Sequence, residues 1–213
     1  MTKRLLLACV LLLSVFSAGA QNMKKADAAQ QKAMIAKINQ AAAAIHTIDC
    51  AFTQVKTMSF LDDKLTSQGR MLFHSSGKLR WEYRSPYVYT FILNGQKVHI
   101  QSAKSKQTID IRQSKLFQSI AQVMMNSVTG KNLAEGGDFS CQMYVKGDEW
   151  IASLLPQKKE MKKMFKDIRL HFDSKQQMVT QVEMTEQNGD TTVITLKNVK
   201  KNLSIDEKMF AAQ

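Results

Sequence analysis

Ser75 and Lys78 stand three apart in "HSSGK", the spacing at which a lysine serves as base for a serine nucleophile in one group of hydrolases. That chemistry needs the serine at the opening of a helix. Here Ser75-Ser76-Gly77 falls between two alternating segments and reads as a turn. The four histidines, His46, His74, His99 and His171, stand apart without the spacing of metal ligands. His74 and His171 fall on the polar sides of strands, where a solvated surface residue is expected. No Gly-x-Ser-x-Gly and no phosphate loop occurs. A secreted serine hydrolase using Ser75 and Lys78 is thus the alternative from a different class, and no catalytic residue, metal ligand or cofactor is assigned.

The cysteines say more about compartment than about catalysis. Cys9 lies inside the apolar run "LLLACVLLLSVF", preceded by Lys3 and Arg4 and followed by Ala18-Gly19-Ala20, which is the layout of a secretory signal peptide with a small-residue cleavage site. Leu6-Leu7-Ala8-Cys9 has the residue types of a lipid-attachment box, but cutting there would leave almost no signal. Residues 1–20 are therefore expected to be cleaved, leaving 21–213 as a soluble exported domain. Cys50 and Cys141 remain. In an oxidising compartment two thiols are the number for one bridge, and closing so long a loop would contribute about 4–5 kcal/mol in the chain-entropy model.

With two Pro and nine Gly there is no obvious linker, and no internal repeat is present. The formal charge is +12, of which Lys3 and Arg4 supply two. A basic balance of this size attracts acidic partners or anionic membrane surfaces. An exported chain with no recognisable nucleic-acid-binding motif is not expected to bind nucleic acid.

The elements that position these residues are mostly strands. A first helix is expected from about Lys24 to Ile45, where Met34, Ile35, Ile38, Ala41, Ala42 and Ile45 form one stripe. A second is expected from Ser114, as N-cap, to about Val128, with Leu116, Phe117, Ile120, Val123, Met124 and Val128 on its apolar face and Gly130 beyond its end. Elsewhere the pattern alternates. In "GRMLFHSSGKLRWEYRSPYVYTFIL" Met71, Phe73, Leu79, Trp81, Tyr83, Tyr89, Phe91 and Leu93 share one side, with Arg70, His74, Arg80, Glu82 and Arg84 on the other. Ile168, Leu170 and Phe172 alternate with Arg169, His171 and Asp173, and Val182 and Met184 pair with Ile194 and Leu196 across Asn188-Gly189. The fold class is α+β, an antiparallel meander with two helices. A curled sheet must fill its concave face with side chains, helices or a ligand. Periodicity alone leaves a packed core and a cavity equally open, and the thirteen methionines suit either.

The segments "CAFTQVK", "SQGRMLFHSSGKLRWEYRSP", "FILNGQKVHI" and "DIRLHFDSKQQMVTQVEMTEQNGDTTVITLKNVKKN", ending in "SIDEKMF", resemble the periplasmic outer-membrane lipoprotein carrier proteins, the LolA family. The resemblance runs from the first helix to Phe210. It implies an open antiparallel β half-barrel with helices covering the concave apolar face. It also implies a monomeric periplasmic carrier that takes the acyl chains of lipoproteins from an inner-membrane lipoprotein-releasing transporter and delivers them to an outer-membrane acceptor. The cavity would be lined by Met71, Phe73, Leu79, Trp81, Tyr83, Phe91, Leu93, Phe117, Ile120 and Met124. Many members carry an Arg-Pro pair before the "LRWEY" strand, the arginine bonding the lid shut; this chain has Ser75-Ser76 there. The same half-barrel also serves as a lipid-binding receptor or stress sensor, and the absence of a credible lipid-attachment cysteine argues against the receptor.

Overall fold

A computed structural model describes residues 22–61, 63–113, 115–131, 133 and 139–211. The signal segment 1–20, Ser114 and the side chains of Leu116, Phe117 and Ile120 lie outside the described residues. The chain opens with β1 (Lys24–Lys25) and α1 (Ala28–Ala43). It continues through β2 (Thr47–Met58), β3 (Asp63–His74), β4 (Lys78–Ser85), β5 (Tyr89–Asn94), β6 (Lys97–Ser102) and β7 (Lys106–Asp110). After α2 (Lys115–Thr129) come β8 (Phe139–Lys146), β9 (Glu149–Pro156), α3 (Lys159–Met164), β10 (Phe165–Asp173), β11 (Met178–Glu186) and β12 (Thr191–Lys201).

All strands form one antiparallel sheet in the order β1-β8-β9-β10-β11-β12-β2-β3-β4-β5-β6-β7. Two meanders, β2–β7 and β8–β12, are thus joined by the β12–β2 pairing, and the sheet stays open at β1 and β7. It curls strongly: Val98 of β6 and Met143 of β8, from opposite wings, belong to the same buried core, together with Met34 and Ile38 of α1. This is the open half-barrel that the sequence leads one to expect.

Local chemistry sets the helix limits. Asp27 caps α1, its carboxylate accepting from the Gln30 N–H at 2.8 Å while the Gln30 side chain accepts from the Asp27 N–H at 3.2 Å. This reciprocal box satisfies two otherwise orphaned donors, and it starts the helix later than the alanine-rich composition suggests. Lys24 and Lys25 instead pair with Val145 and Tyr144 of β8. Gly130 ends α2 with φ +73°. A Cβ there would lie 2.3 Å from the Phe172 ring and 3.1 Å from Ile38, so the glycine supplies both the left-handed turn and the close approach of α2 to the core.

The convex face carries a second, smaller core. Leu72 of β3, Arg80 of β4 and Ile92 of β5 are cross-strand neighbours, and the C-terminal segment lies over them with Phe210 fully buried against Leu72 and Ile92. Arg80 donates to the Met209 carbonyl at 3.2 Å, Asn94 to the Phe210 carbonyl at 3.2 Å, and Lys78 pairs with Glu207. Arg80 is consequently buried at 8 % exposure, whereas strand alternation puts it in solvent. His171 is likewise buried, its Nδ1 2.9 Å from Glu149 and its Nε2 3.3 Å from Glu183.

The expected Cys50–Cys141 bridge is not formed; both thiols are free. Cys50 lies on β2 and Cys141 on β8, with four strands between them in the sheet, each adding about 4.8 Å along it. Burial, with the charge of Asp49, pushes the Cys50 thiol up to about 12, and burial pushes Cys141 up to about 11, so neither is a ready thiolate. Denatured, unreduced protein should titrate two thiols for the chain from residue 21 onward, with native protein reacting far more slowly; a titre of zero would restore the bridge. Gly130→Ala should lose about 2–4 kcal/mol from left-handed strain plus overpacking, read as a fall in the denaturant midpoint at constant m.

Candidate functional site

The alternation of β2 brings Phe52 and Gln54 to the concave face, where Phe52 stands opposite Gly69 of β3 and Leu196 of β12. A Cβ on Gly69 would lie 2.5 Å from the Phe52 ring. The missing side chain therefore lets the ring settle across the sheet, 4.6 Å from the Trp81 ring centroid and 5.1 Å, edge-on, from Tyr83. Tyr83 in turn stacks on Tyr89, its directly opposite neighbour on β5, at 4.3 Å and 17°. Such pairs contribute about 0.5–1.5 kcal/mol beyond their buried area, and they make one rigid aromatic wall.

Beyond this wall the concave face is not filled. A cavity of 310 Å³ lies between the sheet and α2, at the lower end of the range of about 300–1,000 Å³ for ligand pockets. Gln54, Trp81, Tyr83, Tyr89 and Phe91 line it from the first meander, and Phe165, Val182, Met184, Ile194 and Leu196 from the second. Val123, Met124, Ser127 and Val128 of α2 form the lid, and Met161 of α3 closes one side. Among the described residues no charged side chain lines it. The cavity reaches Tyr89 and Phe165 at one end of the sheet, the same end that carries exposed Phe60, Leu61, Tyr87, Val88 and Leu155.

The polar atoms of the wall are few and close together. The Tyr83 hydroxyl donates to Gln54 Oε1 at 2.8 Å. Burial, helped by Tyr89, holds its pKa well above the ordinary phenol value, against the opposing hydrogen bond to Gln54. Trp81 Nε1 is buried without a hydrogen-bond partner.

Of the residues named from sequence, Trp81, Tyr83, Phe91 and Met124 line the cavity. Met71, Phe73, Leu79 and Leu93 share the concave face but lie in the packed core, all at 5 % exposure or less. The side chains of Phe117 and Ile120 lie outside the described residues. Val182, Met184, Ile194 and Leu196 read in the sequence as a hairpin's apolar side and not as lining; Met161 and Phe165 give no periodic signal, because α3 is too short to show one.

Ser75 and Lys78 are not assembled as a nucleophile and base. The Lys78 ammonium pairs with Glu207 of the convex-face segment, while Ser75 borders a separate 470 Å³ cleft between the end of α1, the β3–β4 turn and α2. Asn126, Gln122 and Thr129 of α2 face that same cleft. Val123, Met124 and Val128 of α2 meet the core of the sheet through apolar side chains.

Comparison with known proteins agrees with this geometry. The family model described as outer membrane lipoprotein carrier protein LolA matches residues 43–213. An outer-membrane lipoprotein carrier protein of Legionella pneumophila (strain Paris) is 25 % identical over 167 residues, covering 78 % of this chain and 79 % of that protein. One from Chromobacterium violaceum is 24 % identical over 182 residues, covering 85 % and 84 %. Among solved structures, a LolA superfamily protein from Nitrosomonas europaea matches with a TM-score of 0.51 at 11 % identity, covering 85 % of this chain and 97 % of that one. An uncharacterised conserved protein from Thermus thermophilus gives 0.51 at 8 %, covering 86 % and 95 %. These structural likenesses establish the fold, and with the family match they lead to one statement: the chain belongs to the LolA family of outer membrane lipoprotein carrier proteins.

Proposed function

We propose that the protein is a periplasmic carrier that holds the acyl chains of lipoproteins in the cavity beneath α2 and moves them from the inner membrane to the outer membrane. The observation that carries this reading is the uncharged cavity between a rigid aromatic wall and an apolar lid. Each methylene removed from water contributes about 0.8 kcal/mol, so acyl chains released from a membrane need such a shelter. Delivery needs the shelter to open. The apolar side chains that α2 presents lie over methionine-bearing walls that re-pack around cargo, and adaptable Met124, Met161 and Met184 stand on three different elements of the lining. Opening α2 would enlarge the space for more than one chain.

The donor in this scheme is an inner-membrane lipoprotein-releasing transporter and the recipient an outer-membrane acceptor, each engaging a monomeric carrier. The lipid-binding residues are Trp81, Tyr83, Phe91 and Met124 together with the second-meander residues of the lining. Met71, Phe73, Leu79 and Leu93 support this wall from the core behind and beside it.

Two measurements test the reading. Met124→Glu places a carboxylate at the lid, where water reaches it, whereas Leu79→Glu buries one in the core, at a cost of several kcal/mol against a total of about 5–15 kcal/mol. Met124→Glu is expected to stay folded by circular dichroism, melt within a few degrees of wild type and lose binding of acyl chains; Leu79→Glu is expected to unfold. Unchanged acyl binding by Met124→Glu would place the cargo elsewhere. The second concerns the formal charge of +10 that remains of the +12 once Lys3 and Arg4 are removed: the association rate with donor or acceptor should fall as salt rises, since exposed charges are screened over about 8–10 Å at physiological ionic strength. A rate flat in salt would reduce the charge to a solubility feature.

A further inference from the structure

Gln54, Trp81, Tyr83 and Tyr89 interrupt an otherwise apolar lining, and their hydrogen-bonding capacity does not balance. The Tyr83 hydroxyl is committed to Gln54 Oε1 at 2.8 Å. That bond engages the amide oxygen and leaves the nitrogen, with its two N–H groups, on a half-buried side chain at the cavity. Trp81 Nε1, a donor only, is buried and unpartnered. Tyr89 stacks on Tyr83 and borders the same cavity. A buried donor without a partner is costly, and on this wall that donor is Trp81 Nε1, with the half-buried Gln54 amide beside it.

We infer that these four residues form a subsite for the carbonyl oxygen of an ester- or amide-linked acyl chain. The inference rests on the carrier reading and adds to it the chemistry that the cavity recognises. A carbonyl is a strong acceptor with no hydrogen to place, which complements surplus N–H donors. It is also neutral. The lining contains no Lys or Arg among the described residues, so a fatty-acid carboxylate or a phosphate would enter without a counter-charge and suffer the whole desolvation penalty. The cavity thus selects a conjugated acyl chain over a free fatty-acid anion, and an acyl chain over an alkyl chain of the same length. In this arrangement the hydrocarbon takes the apolar lining under Val123, Met124 and Val128, while the linkage group sits at the wall of Gln54 and Trp81. Gln54 and Trp81 then decide which chains are accepted, while the apolar residues decide how tightly.

The test is competitive displacement of an apolar fluorescent dye from the full chain by four probes of equal chain length: a monoacylglycerol, an N-acyl amide, a 1-O-alkylglycerol ether and the fatty-acid anion. Wild type should bind the ester and amide about fivefold more tightly than the ether for each hydrogen bond gained, and the anion most weakly. Gln54→Leu and Trp81→Phe should each narrow the gap, read within each variant as the ratio of carbonyl-probe to ether affinity, so that a general loss of apolar contact cancels. A lead of ester over amide assigns the subsite to glyceride esters, and the reverse assigns it to an N-acyl group; either upholds it. Equal binding of ester, amide and ether by wild type overturns the subsite and leaves the carrier reading standing, and this outcome is read without any variant having to fold. Displacement by none of the probes overturns both.

Discussion

The pairing of β2 with β12 is the contact on which the rest depends. Among the described residues it is the only place where the two meanders share a ladder of backbone hydrogen bonds, and it joins segments far apart in sequence. Side chains fasten both ends of the seam. At one end Asp190 accepts from the Ser59 N–H at 3.0 Å, which more than any other contact holds its carboxyl below the ordinary range, while Lys56 reaches Glu186 at 2.9 Å. At the other, Asn202 accepts from the His46 N–H at 2.8 Å and Thr47 donates to the Leu203 carbonyl at 2.7 Å. With the seam closed, residues of both wings converge on one core; without it there would be two unsupported sheets and no concavity. The same strand supplies Phe52 and Gln54, so the backbone that closes the fold also places the aromatic wall and its amide.

The half-barrel divides its concave face by depth. Toward the β3–β4 turn, Phe73, Leu79 and Leu93 are buried in one core with Ile38 and Ile45, Phe73 also bordering the cleft beside Ser75. Farther along the same strands, Trp81, Tyr83 and Phe91 face space. A packed region at one end gives the rigidity that lets the other stay hollow, since a cavity forfeits the dispersion contacts that its lining would otherwise make. Gly69 and Gly130 set this boundary from two directions, one by admitting the Phe52 ring to the sheet and the other by seating the end of α2 on Phe172.

This division explains what is legible in the sequence. Alternation of "LRWEY" and "YTFIL" identifies the side that faces inward, and does so correctly along β4 and β5. It carries no information on depth, so Leu79 and Trp81, two residues apart, look equivalent although one is core and the other lining. The second meander's share of the cavity is hidden for a related reason: Val182 and Ile194 read as one hairpin, and only the β12–β2 seam turns their side toward Trp81. Alternation misplaces Arg80 because its cover comes from Met209 and Phe210, far away at the end of the chain. The tell-tale is present in Leu72 and Ile92, apolar residues standing out of phase in "MLF" and "FIL", which only a second core on the opposite face can use. His171 eludes the pattern because its two carboxylate neighbours come from the adjacent strands β9 and β11.

The borders of the open sheet have a consequence for life at high protein concentration. An unclosed sheet offers two rows of unpaired backbone groups, and a molecule that also keeps a greasy hollow invites its copies to stack strand on strand. One border here is a two-residue strand made entirely of exposed lysine, Lys24–Lys25, and the other begins with exposed Lys106. Two copies approaching border to border bring ammonium groups together before any ladder can form. Positive charge at these rims acts as insulation, opposing the approach that would extend one sheet into the next.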